Sequence, residues 1–357
     1  MAIGNISMEF RKKIIAVLMA VLLISALLNT YAGEKEKSPY RFHELTLYAI
    51  PSPVEFVWES PAALFNSYVQ SYITGMFSRG SYALGHAFIK LTSPMFEEPL
   101  YFGMTSTSKR EQQEKVLREK VGLAILGIDL EGRMEGNTEL VEKLSIHTKR
   151  SNTAAVTYRI SEAAVRRILE FLEYFDTPNH LDHTPSSHYG GTFWPLYEAE
   201  GAGCTAFGMA MLELAGVRIE DLNNWKVEVK IPMSLIGGEL NPGNKVRIRD
   251  IRRSNSWFEG EGEENVDYIP FWIYEPNLIY HWIREQADYK NDVTSTHYFR
   301  ASCRKVPRLF ADLRDAEVQE EGPVFSQRSD DNPFILHFLH KNGLIGEQAG
   351  NAPDPQK

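Results

Sequence analysis

The chain has 357 residues, 43% of them hydrophobic and 24% charged, which is ordinary globular usage with ample material for a core. A formal net charge of −9 provides no basic footprint, so no nucleic-acid partner is expected. No acidic block is long enough to form a tail.

At the N-terminus, Arg11, Lys12 and Lys13 precede an apolar run from Ile14 to Leu28, and Asn29-Thr30-Tyr31-Ala32 follows with small residues of the kind a signal peptidase reads. The run is shorter than the ~20 apolar residues of a membrane span. Residues 1–32 read as a secretory signal, with an uncleaved anchor as the alternative. The rest of the chain is expected to be exported, periplasmic or secreted, with no stable membrane span after cleavage.

Residues 33–80 read as an N-terminal extension: Pro39 to Leu47 is extended, and Phe65 to Phe77 follows no single period. Residues 81–222 form the expected core. Within it, Ser81 to Leu91 fits a strand and Pro99 to Met104 its hairpin partner. Ser108 to Lys120 is a charged helix, and the apolar Leu123 to Leu130 reads as a strand. Ala154 to Ile160 alternates as a strand, Ser161 is a helix N-cap, and Val165, Ile168, Leu169 and Leu172 fall on one helical face. Thr205 to Ala215 is apolar nearly all round, as a buried helix is.

Residues 223–347 are expected to pack on or cover the core, with strands at Lys226 to Ile231 and Lys245 to Ile251, a helix from Pro276 to Gln286, and another opened by Pro333. Residues 348–357 read as a disordered tail.

Cys204, one of two cysteines, stands in GAGCTAFG at the mouth of the buried helix. A thiol in a first helical turn sits where the dipole and unpaired N–H groups favour the thiolate. Gly203 and Thr205 flank it, and glycine there leaves backbone free for substrate approach and an oxyanion. The best candidate base is His86, which opens a strand directly after Gly85, a second residue expected at the substrate approach.

The order GHAFIKL, hairpin, TYRISEAAVRRILEFLEYF and GCTAFG resembles the circularly permuted branch of the NlpC-type papain-like superfamily, in which histidine precedes cysteine. The resemblance spans roughly Ser81 to Gly216. It implies an α+β fold with a papain-like core, in which a buried helix carrying Cys204 packs on an antiparallel sheet carrying His86. The implied activity is that of an exported thiol hydrolase, an amidase, peptidase or acyl hydrolase. Location and resemblance together favour an amide in cell-wall peptides, with ester and thioester acyl groups open.

The family orients its histidine with a third polar residue, more often His, Asn or Gln, on a neighbouring strand. If the hairpin turns at Met95 and Phe96, residue numbers summing to about 191 lie opposite each other. That sets Thr105 or Ser106 beside His86, with Thr105 the candidate.

Two other readings compete. A non-catalytic binding or structural protein would join Cys204 to Cys303. A metal-dependent hydrolase would use His180, Asp182, His183 and His188 of the 180–188 loop. Pro178 and Pro185 make that segment a solvated loop in the favoured reading, so neither metal nor cofactor is expected.

Overall fold

The computed structural model describes residues 38–78, 80–179, 181–288, 299–301 and 305–345. The signal reading of 1–32, His180, Cys303 and the tail at 348–357 lie outside the described residues. The fold is α+β. No helix among the described residues is long and apolar enough to cross a membrane.

The strands are β1 (Glu44–Ile50), β2 (His86–Thr92), β3 (Leu100–Ser106), β4 (Leu130–Glu135), β5 (Ala154–Arg159), β6 (His188–Tyr189), β7 (Lys226–Pro232), β8 (Tyr268–Tyr274), β9 (Phe299–Ala301) and β10 (Arg308–Asp312). Eight of them form a sheet in the order β6-β4-β3-β2-β1-β5-β10-β9, and β7 pairs with β8. The large sheet is antiparallel except where β10 runs parallel to β5. The helices are α1 (Pro61–Met76), α2 (Lys109–Glu114) running into a π turn at Lys115–Glu119, α3 (Asn137–Lys149), α4 (Glu162–Phe175), α5 (Cys204–Leu214), the short α6 (Ile248–Ile251), α7 (Pro276–Asp288) and α8 (Pro333–Lys341).

Alternation along β1 and β2 divides the core. Leu45, Leu47, Ala49, Ala87 and Ile89 face α4, α5 and α7, whereas Tyr48, Ile50 and Phe88 face α3 with Leu140. α5 is buried from Cys204 to Leu212, so it can only form as the inside of a layered body. α4 starts where Ser161 Oγ accepts the Ala164 N–H at 3.1 Å.

Four expectations change. Residues 33–80 are no extension, because β1 is paired on both sides, with β2 and β5, in the middle of the sheet. Nor do residues 223–347 merely cover a finished core, since β10 extends the sheet beyond β5. Leu123 to Leu130 is not a strand: Leu123–Leu126 form a 3₁₀ turn packed with Ile236, Phe271 and Phe334. A short apolar run cannot by itself separate a strand from an enclosed turn. Lys245 to Ile251 likewise ends in α6, started by the Asp250 carboxylate accepting the Arg247 N–H at 2.9 Å.

The stretch that had no single period is α1. It is capped by Ser60 Oγ, which accepts the Ala63 N–H at 3.1 Å, and beyond Leu64 its buried residues are the serines Ser67 and Ser71. Ser71 Oγ donates to the Ala83 carbonyl at 2.7 Å and Ser67 Oγ accepts the Val57 N–H at 3.1 Å. Its aromatic residues therefore face elsewhere.

Near the C-terminus, Arg328 reaches back to the loop before α5. Its Nε and Nη2 donate to the two oxygens of Glu200 at 2.6 and 2.8 Å. Glu200 Oε2 also accepts the Trp194 N–H at 3.0 Å, and the guanidinium lies 4.4 Å from the Tyr197 ring centroid.

Candidate active site

β2 and β3 are paired from Phe88 opposite Gly103 to Leu91 opposite Leu100, a register in which residue numbers sum to 191. β1 stays paired with β2 two residues further, to His86. β2 and β3 therefore part at this end of the sheet, and the freed Ala87 N–H donates to the Cys204 sulfur. α5 lies on the face carrying Ala87 and Ile89, His86 on the face carrying Phe88. Thiol and imidazole meet at the open end of the sheet, near enough for each to shift the ionisation of the other.

His86 is 2% exposed and stacks on Tyr82, with ring centroids 3.9 Å apart. Its Nε2 lies 2.6 Å from Glu135 Oε2, which leaves Nδ1 as the nitrogen for the thiol. Glu135, 1% exposed, is the last residue of β4 and faces Gly103 across the ladder. A Cβ at Gly103 would stand 3.0 Å from Glu135 Oε2 and 3.5 Å from His86 Nε2. The missing side chain lets the carboxylate of β4 cross over β3 to a histidine on β2. Tyr82 Oη donates to the other oxygen, Oε1, at 3.1 Å.

The partner of His86 is thus Glu135 rather than Thr105. Thr105 lies on the expected strand, but its hydroxyl turns to the Ser106 carbonyl at 3.5 Å. Gly85 also has a different place. It launches β2 with φ +71°, and a Cβ there would meet Ile50 O and Pro276 Cβ at 3.0 Å, so it is a turn packed against β1 and α7. Gly203 and Thr205 line the same cleft as Cys204. Gly201 serves packing: a Cβ there would fall 2.1 Å from the His188 carbonyl oxygen.

Tyr189, on β6, completes the surroundings of the thiol. Its hydroxyl is close enough to the Cys204 side chain and backbone for both to act on its ionisation. Burial and the neighbouring thiolate hold the phenol well above its ordinary range, so it remains a donor. The first turn of α5 carries no side-chain cap, so its leading N–H groups have no partner within the helix.

Burial alone would push the Cys204 thiol up, but hydrogen bonding to His86, the imidazolium charge, the Ala87 N–H and Tyr189 together hold it below its usual value. For His86, burial pulls downward, and the Glu135 carboxylate and the thiolate outweigh it, pushing the ring up to about 9. Glu135 is pushed up by burial and further down by His86, Tyr82 and Lys143, ending below the usual carboxylate range. Both shifts favour the thiolate beside the imidazolium. Replacing Glu135 by Gln removes the main upward influence on His86 and leaves burial in place. The Cε1 proton of His86 should then titrate well below 9, toward the ordinary ~6.5 of histidine or lower. An unchanged NMR titration in that variant would contradict the assignment.

Cys204 is a free thiol. In the histidine loop, His183 and His188 stack at 4.6 Å, His183 Nε2 meets the Ala199 carbonyl at 2.7 Å, and His188 Nδ1 meets Asp129 at 3.0 Å. Among the described residues no three His, Cys, Asp or Glu side chains come together as metal ligands would. His337 pairs with Glu239 at 2.9 Å.

Cys204, Gly203 and Tyr189 open onto a cleft of about 390 Å³, within the range of small-molecule sites. No protein-family model, no curated protein and no solved structure matches the chain.

Proposed function

We propose that this protein is an exported cysteine-dependent acyl-transfer enzyme, a thiol hydrolase of the permuted papain-like kind, with Cys204 as nucleophile, His86 as acid and base, and Glu135 orienting and charging the imidazole. The observation that carries this reading is the buried chain of thiol, imidazole and carboxylate at the wall of a cleft. Such a chain activates a nucleophile and returns a proton to a leaving group.

The Cys204 thiolate attacks the acyl carbonyl carbon, and the oxyanion that forms takes donors from the first turn of α5 and from Tyr189. The bond from the acyl carbon to its leaving nitrogen, oxygen or sulfur breaks, and the leaving atom takes the proton of His86. A thioester on Cys204 remains. Water, or an acceptor amine or hydroxyl, then gives His86 a proton as it attacks the thioester, and the acyl group departs with the thiolate restored. Turnover requires the imidazolium, so it should fall as pH rises through about 9, where His86 loses its proton.

Alkylation tests the reading. Iodoacetamide at pH 5.5 should label Cys204 at least about tenfold faster than Cys303, because only a thiol with a depressed pKa is ionised there. Mass spectrometry of the two cysteine peptides reads the ratio. Equal, slow labelling would remove Cys204 from the class of nucleophiles and return the chain to the reading of a binding or structural protein.

A further inference from the structure

We propose that the cleft at Cys204 holds a long hydrocarbon chain, so that the substrate is a fatty acyl ester, thioester or amide whose carbonyl is presented to the thiol. The inference rests on the reading of Cys204 as nucleophile and adds the substrate class.

The walls carry the argument. α1 contributes Phe65, Tyr68, Val69 and Tyr72, the π turn contributes Val116, and the 3₁₀ turn contributes Ile125. On α1 the serines dock on backbone, which leaves Phe65, Tyr68, Val69 and Tyr72 to line the cleft. The two charged residues on the wall are engaged already: Lys109 Nζ lies 5.8 Å above the Tyr72 ring, and Glu275 accepts the Leu278 N–H at 3.0 Å. A peptide would bring a donor and an acceptor for every residue into a lining with few partners for them. A hydrocarbon chain brings none.

The size fits as well. At about the volume of a water in the liquid, ~30 Å³ for each methylene, a cleft of about 390 Å³ has room for roughly a dozen carbons. Leu84 and Leu117 line it while 38% and 57% exposed. Apolar side chains left in solvent at the cleft suit a substrate drawn from a lipid surface or a carrier of acyl chains.

The test is a chain-length series of 4-nitrophenyl esters from acetate to dodecanoate, each below its micelle concentration, run beside a dansyl-labelled undecanoic acid as a binding probe. With the wild-type protein, kcat/KM should rise about threefold to fourfold for each added methylene to at least ten carbons, and one dansyl probe should bind per chain and be displaced by dodecanoate. Val69→Trp should lower the ratio of dodecanoate to butyrate turnover at least tenfold. Cys204-dependent turnover that is flat or falls with chain length, or no probe binding, would overturn the acyl-chain inference and leave the nucleophile standing. Probe binding displaced by dodecanoate without Cys204-dependent turnover of any ester would support the chain site and sink the nucleophile reading. If Val69→Trp does not fold, the wild-type series and the binding arm decide alone.

Discussion

Replacing Cys204 by alanine should lower turnover of any accepted acyl substrate by about four orders of magnitude or more, the scale on which a covalent nucleophile acts, with the fold retained. The sulfur is small, and Tyr189, whose hydroxyl it leaves, lines the cleft, where water can replace the lost partner. Histidine needs a gentler substitution. His86→Ala would strand the carboxylate of Glu135, 1% exposed, and leaving a buried charge unpaired costs about 3–5 kcal/mol. His86→Gln keeps a donor for Glu135 but cannot carry a proton, so it should match Cys204→Ala in activity with a smaller loss of stability. Because the two residues work as a unit, the double variant should be no slower than either single one. A Cys204→Ala protein with more than about one percent of wild-type turnover would refute the mechanism.

Arg328→Ala should destabilise the protein by about 3–5 kcal/mol, since it leaves Glu200 as an uncompensated buried carboxylate. Burial already pushes Glu200 above its ordinary range, and the guanidinium is what opposes this. Lysine should recover only part of the loss, because a point charge cannot occupy both oxygens as the fork does. Arg328→Met with Glu200→Gln should recover more, by removing both charges. Glu200 directly precedes the Gly201-Ala202-Gly203 lead into Cys204, so the single variant should also slow alkylation of the thiol. Urea unfolding within about 1 kcal/mol of wild type would show that the clamp is dispensable.

His86 and Cys204 were legible because each opens its own element beside glycine, and that pattern is local. The hairpin register of 191 agrees with the structure, although the connection is a loop over residues 93–99 whose turn, closed by the Phe96 N–H on the Ser93 carbonyl, is centred on Pro94 and Met95. Glu135 was not legible, because it reaches His86 from β4 across β3 and nothing along the chain links the two. The signal that could have found it is Gly103, a glycine inside a strand, which marks a place where something crosses closely. Tyr189 was hidden in a loop whose histidines invited a different chemistry. α1 escaped notice because periodicity arguments assume that the apolar side of a helix faces the core, and here serines face the body and aromatic residues face the cleft. The central position of β1 was hidden for a topological reason, since strand pairing over long separations leaves no trace in local pattern.

The pairing of β5 with β1 on one side and β10 on the other has a bearing on timing. Val156 faces Leu47 in β1 and Leu309 in β10, partners roughly 110 residues behind it and 150 ahead. Contacts at such distances make folding slow, because the intervening chain must be closed into loops before they form. A chain emerging from its N-terminus can align β1 and β2 early but must wait for β10, and until then one side of β5 offers unpaired backbone to any neighbouring strand. The Arg328 clamp on the loop before the nucleophile arrives later still. Assembly of the cleft is therefore deferred until nearly the whole polypeptide has been delivered, and a nascent or truncated chain ending before Arg308 would be prone to associate through β5.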